Sequence, residues 1–291
     1  MTGLPNPELR WQRDQAPRPA SLDEVESRIG KVDEPLELLS GGLANTNLLV
    51  GDDRVLRIFR NDPAQAAKEG TLLKHPWPSF RVPPLLASGS DYVLLEYVPH
   101  TPLRAEDSAA LGTALAEIHR QQTFATAELL ASDLTIAEPF NNFCAAGRDY
   151  LQGLQTKTKA ALLGEIVAWL EPLEPQLQER MQKAVLLHGD FKSSNLHRCT
   201  DGVPLVLDWE FAYAGPALMD VGQILRWGAP AEWRDSFISG YRENGGALEH
   251  ADLAWAPMLD IVNLGGLFAR SGPGSEQRAE LEARIRSILD G

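Results

Sequence analysis

Apolar residues recur along this chain at two spacings, and the spacing changes near residue 100. Before that point they come in short runs between turn-forming clusters, the signature of β-strands. Residues 36–40, 47–50 and 54–60 read as three strands, the third alternating in character, and residues 85–88 and 92–98 read as two more around Gly89-Ser90-Asp91. One helix interrupts them: Asp62-Pro63 offers an N-cap acid and a first-turn proline ahead of a helical stretch over 64–74. A second, shorter helix opens at Ser21-Leu22-Asp23-Glu24, a Ser-x-x-Glu capping box, and stops at Gly30. Residues 1–20 are expected to be a loose tail. The pattern predicts a five-stranded antiparallel sheet with one helix.

Beyond residue 100 the spacing becomes helical. Ala110, Leu111, Ala114, Leu115 and Ile118 form one apolar stripe over 106–121, and His119 near its end reads as a structural residue beside the C-terminal dipole. Residues 125–182 hold further helices. Three more, over 233–242, 253–270 and 275–289, are separated by Gly245-Gly246 and Gly272-Pro273-Gly274. Two apolar strands, 184–187 and 204–207, interrupt this half. The fold class is therefore α+β, with a small antiparallel sheet first and a mostly helical body after it.

Composition changes this picture little. With 44% hydrophobic and 23% charged residues, the chain is an ordinary globular protein. No uncharged apolar run approaches the roughly 20 residues of a membrane span, and the Pro- and Arg-rich start lacks a signal-peptide core, so a cytoplasmic protein without a membrane partner is expected. Cys144 and Cys199 lack metal-ligand spacing and read as small core residues in a reducing compartment. A net charge of −13 argues against a nucleic-acid partner, which would need clustered Lys and Arg. It is compatible with a cationic small molecule and equally with plain solubility.

The chemistry concentrates in Leu186-Leu187-His188-Gly189-Asp190-Phe191-Lys192-Ser193-Ser194-Asn195-Leu196 and in Val206-Leu207-Asp208-Trp209-Glu210. Phosphoryl transfer needs an acid to orient the attacking hydroxyl and hard oxygen ligands to hold Mg²⁺ against the nucleotide. Asp190, Asn195 and Asp208 stand in that order, and the two acids follow the ends of the apolar strands 184–187 and 204–207, which would set both beside one cleft. His-Gly-Asp, four residues, Asn, then a strand ending in Asp-Trp-Glu resembles the aminoglycoside phosphotransferase and choline kinase superfamily. The resemblance covers nearly the whole chain from Leu36.

That resemblance implies a two-lobed protein-kinase-like fold, with a nucleotide-binding lobe over 1–99 and a helical lobe over 100–291 that carries the catalytic loop and the acceptor site. It implies ATP as donor, with GTP possible, and Mg²⁺ held by Asn195 and Asp208, while Asp190 is the catalytic residue. Gly41-Gly42 would lie over the phosphates, and Gly-Gly-Leu-x-Asn, ending at Asn45, looks most like the loop of choline, ethanolamine and thiamine kinases. Arg57 stands where most kinases carry a phosphate-contacting Lys, and Glu69 would pair with it; Arg60 points to the opposite face. Backbone groups of Glu96 and Val98 would meet the base, and Asp220 would brace the catalytic loop. The chain lacks His-Arg-Asp, Asp-Phe-Gly and Ala-Pro-Glu, so a small-molecule hydroxyl, and not a protein, is the expected acceptor. A choline-, ethanolamine- or thiamine-like cation comes first; an aminoglycoside-type antibiotic and, from another class, a nucleotide-binding pseudokinase are the alternatives. Asp235, Glu243, Asp252 and Asp260 could line a cationic acceptor site, and Trp209, Trp227 and Trp255 could box a quaternary ammonium, although aromatic residues at helical spacing are more often core.

Overall fold

The computed structural model describes residues 4, 7–13, 18–39, 45–121, 143–180 and 184–291. Gly41 and Gly42 lie outside them. The first elements are α1 (Glu8–Arg13), α2 (Leu22–Ile29), β1 (Leu36–Leu38), β2 (Thr46–Val50), β3 (Arg54–Ile58), α3 (Gln65–Lys74), β4 (Leu85–Ser88) and β5 (Tyr92–Glu96). The five strands form one antiparallel sheet in the order β1-β2-β3-β5-β4, as the alternating pattern predicts.

Period-two alternation gives this sheet two different faces. Leu48, Val50, Leu56, Ile58 and Leu94 point to one side and close over Val25 of α2. On the other side Val55, Val93 and Leu95 join the main core with Leu72 and Leu73 of α3, and Arg57 shares that face. The capping box at the start of α2 is formed: Ser21 Oγ accepts from Glu24 N at 3.2 Å, and Glu24 Oε2 accepts from Ser21 N at 3.1 Å. Gly30 ends the helix at φ 82°. At α3, Asp62 Oδ1 accepts from Ala64 N at 3.1 Å, satisfying a donor just before the helix starts at Gln65.

The second half comprises β6 (His100–Pro102), α4 (Ser108–Arg120), α5 (Phe143–Thr158), α6 (Ala161–Leu170), α7 (Glu174–Arg180), β7 (Ala184–Leu187), β8 (Leu196–Cys199), β9 (Pro204–Val206), β10 (Tyr213–Pro216), α8 (Leu218–Leu225), α9 (Ala231–Glu243), α10 (Ala256–Arg270) and α11 (Glu276–Leu289). β7 pairs with β10, and β6-β8-β9 form a small sheet. Of these five strands only β7 and β9 are legible as apolar runs. The others, His-Thr-Pro, Leu-His-Arg-Cys and Tyr-Ala-Gly-Pro, are strands because a partner edge is beside them. Helices α4 and α9 pack backbone against backbone: a Cβ at Gly112 would lie 2.0 Å from Phe237 O, and one at Gly240 would lie 2.1 Å from Ala109 O. Among the described residues, no helix is long and apolar enough to cross a membrane. Cys199 is a buried free thiol; the side chain of Cys144 lies outside the described residues.

The expected loose tail is corrected over residues 8–13. These form α1, and Trp11 meets Trp227 edge-on with ring centroids 5.3 Å apart while its Nε1 donates to Glu280 at 2.8 Å. A six-residue helix does not persist alone in water. Contacts more than two hundred residues away in sequence hold this one, and no local pattern announces them.

Candidate active site

Strand β7 delivers His188-Gly189-Asp190, and β9 runs through Leu207 into Asp208. The two strand ends are tied together: Leu207 N donates to Asn195 O at 2.9 Å, and His188 Nε2 donates to Leu207 O at 3.0 Å. The other ring nitrogen of His188 accepts from Asp190 N at 3.2 Å. Burial, outweighing the acids nearby, holds the His188 pKa below its ordinary value, so the ring serves as a neutral clamp. Gly189 sits at φ 78°, and a Cβ there would lie 2.1 Å from Phe211 O. Only glycine accommodates both the dihedral and the approach. Asp208 takes a left-handed conformation without being glycine, at φ 69° and ψ 66°. Strain of that kind concentrates at functional sites.

Asp190 is held from both sides. Its Oδ2 accepts from Asn195 Nδ2 at 2.9 Å, and its Oδ1 meets Lys192 Nζ at 3.0 Å. The loop itself hangs on α8. Asp220 Oδ2 accepts from His188 N at 2.8 Å and Oδ1 accepts from Gly189 N at 2.9 Å, so Asp220 is a brace, as expected. His119 Nε2 donates to the same Asp220 at 3.2 Å, and His119 Nδ1 accepts from the Tyr241 hydroxyl at 2.8 Å, which makes His119 structural. One turn further on, Gln223 accepts from Phe191 N at 2.8 Å and donates to Gly189 O at 2.7 Å. Gln223 is absent from the sequence reading. Its signal was a polar residue three positions from Asp220 in an otherwise apolar helix.

Arg57 reaches this loop from the sheet. Its Nη1 donates to both Glu69 oxygens at 2.9 and 3.1 Å, its Nη2 donates to Asp208 at 2.5 Å, and Glu210 lies 3.9 Å away. Arg60 points away, to Glu24 and the Pro19 carbonyl near α2. Three carboxylates thus surround one buried guanidinium. Burial and the Asp208 charge push the Glu210 pKa up to about 7 against the pull of Arg57. Burial likewise raises that of Glu69. Asn45 is buried, with Nδ2 donating to Glu210 at 2.7 Å and Oδ1 accepting from Arg60 N at 3.3 Å, so its amide reaches the site through Glu210. The motif gives Glu210 no role, because nothing local shows that Asn45 and Arg57 converge on it.

At the end of β5, Glu96 N donates to Pro84 O at 2.9 Å. Antiparallel pairs normally return such a bond, but Pro84 has no N–H, so Glu96 O receives nothing from that neighbour. The Val98 carbonyl accepts from His100 Nδ1 at 2.7 Å, so a further contact at Val98 falls to its N–H.

Residues 35–257 match the family model described as "Phosphotransferase enzyme family". The chain belongs to that family. No curated protein matches it. Among solved structures, an apo macrolide 2′-phosphotransferase from Brachybacterium faecium is 21% identical, with a TM-score of 0.65 over 92% of this chain and 97% of that one. A choline/ethanolamine kinase family protein from Mesorhizobium loti is 19% identical, TM-score 0.65, over 90% and 89%. A gentamicin complex of APH(2″)-IIa is 16% identical, TM-score 0.66, over 92% and 94%. At these identities the likeness shows the kinase-like fold, and the protein is a small-molecule phosphotransferase by family.

The donor set of this phosphotransferase fits Mg²⁺. Asn195 and Asp208 offer an amide and a carboxylate oxygen on adjoining loops, and Mg²⁺ takes few protein oxygens and fills its octahedron with water and phosphate. Asp208, Glu69 and Glu210 lie 2.5, 2.9 and 3.9 Å from Arg57, a gathering of carboxylates that suits a divalent cation. Among the described residues, no group of three or more His, Cys, Asp or Glu gathers as a ready-made metal cage. Asp260 is buried and paired through both oxygens with Arg226 at 2.7 Å, whereas Arg270 donates to the Tyr150 hydroxyl. Trp209 is core, stacked on Trp77 at 5.2 Å, and Trp227 donates from Nε1 to Glu8.

Proposed function

We propose that this phosphotransferase moves the γ-phosphoryl group of ATP, with GTP as the other donor, onto a hydroxyl of a small cationic metabolite of the choline, ethanolamine or thiamine kind. One observation carries the reading: Arg57, pinned by Glu69, meets Asp208 within reach of a loop that holds Asp190 and Asn195 together. In this reading residues 1–99 bind nucleotide and residues 100–291 supply the catalytic loop and acceptor site. Glu96 O and the Val98 N–H are the base-binding groups at the junction.

Asp190 accepts the hydrogen bond of the acceptor hydroxyl and aims its lone pair along the line of transfer; in a loose transition state this is mainly orientation and electrostatics. Asn195 and Asp208 would hold Mg²⁺, which when bound neutralises charge on the β- and γ-oxygens. Arg57 holds the phosphates, its guanidinium kept in place by Glu69. The Gly-Gly-Leu-x-Asn loop favours the cationic acceptor, with which the net charge of −13 is compatible. An aminoglycoside-type acceptor is the second reading, supported by the likeness to the gentamicin-bound structure. A module that binds nucleotide without turnover was suggested by the Lys-to-Arg departure; the engagement of Arg57 by both Glu69 and Asp208 speaks against it.

The test is ADP release with Mg²⁺ and ATP against choline, ethanolamine, thiamine, homoserine, sugars and aminoglycosides. Acceptor-dependent turnover should fall about a thousandfold in Asp190→Ala while nucleotide affinity stays within about threefold. A variant that keeps more than about a tenth of the rate overturns the role of Asp190.

A further inference from the structure

The N-terminal helix α1 reaches the back of the catalytic loop. Glu8, buried at 4% exposure, accepts from Arg226 Nη1 at 2.8 Å and from Trp227 Nε1 at 2.9 Å, and lies 3.1 Å from Lys192 Nζ. Lys192 in turn lies 3.0 Å from Asp190 Oδ1. Arg226 is fixed by Asp260, so the row reads Asp190, Lys192, Glu8, Arg226, Asp260, with signs alternating throughout. Without Glu8, the buried Arg226 and the half-buried Lys192 would lose the carboxylate that stands between them. Burial alone would raise the Glu8 pKa; Lys192 and Arg226 outweigh it and bring it to about 2, so the carboxylate stays charged. Residue 8 lies outside the span 35–257 that defines the family match.

We propose that Glu8 is a positioning residue of the phosphotransferase, holding the Lys192 ammonium against Asp190 and so making the N-terminal helix part of the active site. The inference rests on the assignment of Asp190 above. Asp190 has two side-chain donors, Asn195 and Lys192, one on each oxygen. Lys192 is a flexible four-carbon stem, and a lysine left without a second anchor spreads over several rotamers. Glu8 supplies that anchor, 3.1 Å from the ammonium that Asp190 meets at 3.0 Å. Its own place is set by α1, which docks through the Trp11–Trp227 contact, Trp11 on Glu280 and the Arg10–Glu280 ion pair.

The experiment compares the steady-state kinetics of the full-length wild type with Glu8→Ala, Glu8→Gln, Glu8→Asp, Lys192→Ala, the Glu8→Ala/Lys192→Ala double variant and Asp190→Ala. Glu8→Ala should lower kcat about tenfold or more with the KM for nucleotide within about twofold. Glu8→Asp should recover most of the loss, and Glu8→Ala should add nothing once Lys192 is alanine, because both act through one contact. Glu8→Gln keeps the shape and an acceptor oxygen; it replaces Glu8→Ala in the cycle should the alanine variant not fold. Wild-type kcat in the Glu8 variants, or full additivity with Lys192→Ala, overturns the proposal. Turnover that needs Asp190 but ignores Glu8 defeats this inference alone, whereas turnover that does not need Asp190 defeats the reading of the site.

Discussion

Glu210 shows how one side chain registers the state of the whole site. It is 3% exposed, hydrogen-bonded to Asn45, and lies beside Asp208 and a guanidinium that Glu69 already shares. Burial and Asp208 raise its pKa from the ordinary 4.5 to about 7. A carboxyl raised in the folded state favours folding while protonated. That contribution is complete below about pH 4.5 and is lost as pH rises through about 7. Glu210→Gln keeps the acceptor for Asn45 and removes the titration. The variant should match wild type in thermal stability near pH 5 and exceed it near pH 8, by an amount on the order of 2 kcal/mol or a few degrees in Tm. Parallel melting curves at both pH values would show that Glu210 is not the strained acid. The residues that announce chemistry, Asp190, Asn195 and Asp208, were legible as candidates only as a set, because it is their order and spacing, and not any one of them, that matches the demands of phosphoryl transfer. Glu210 and Gln223 were not, since their roles exist only through partners far away in sequence.

At the scale of elements, α8 is the part on which the catalytic loop hangs. Asp220 and Gln223 together satisfy four backbone groups of the loop, the N–H of His188, the N–H and carbonyl of Gly189, and the N–H of Phe191. Phe191 is fully buried, so its N–H has no solvent to fall back on. Gln223→Leu matches the volume and strands both groups, which should cost about 2–4 kcal/mol in urea denaturation and lower kcat with it. A variant within about 0.5 kcal/mol of wild type would mean that the loop holds its own shape. The five-strand sheet and most of the helices, α1 and α8 excepted, were legible from periodicity, because each buries one face and leaves the other wet. The strands β6, β8 and β10 were hidden. They are short and polar or carry Gly and Pro, and the partner edge, not propensity, makes them strands.

Over the whole molecule, Arg57 joins three parts: β3, which carries it, α3 through Glu69, and the loop after β9 through Asp208. A lysine at this position presents a point charge and cannot serve Glu69 through one nitrogen and Asp208 through another. Arg57→Lys should therefore lower kcat/KM for nucleotide by about tenfold or more, measured by ADP release with acceptor in excess. An unchanged kcat/KM would show that the planar fork is dispensable. The sequence by itself determined which faces of sheet and helices are buried and which residue types stand at the loop ends. Those follow from periodicity and from the oxygen ligands that the chemistry requires. Only the tertiary structure decided that Glu8 meets Lys192 and Arg226, that Asp260 is paired with Arg226, and that three acids surround one arginine. Charge pairing in a buried site depends on distances between residues separated by up to more than two hundred positions, and a linear pattern carries no record of those distances.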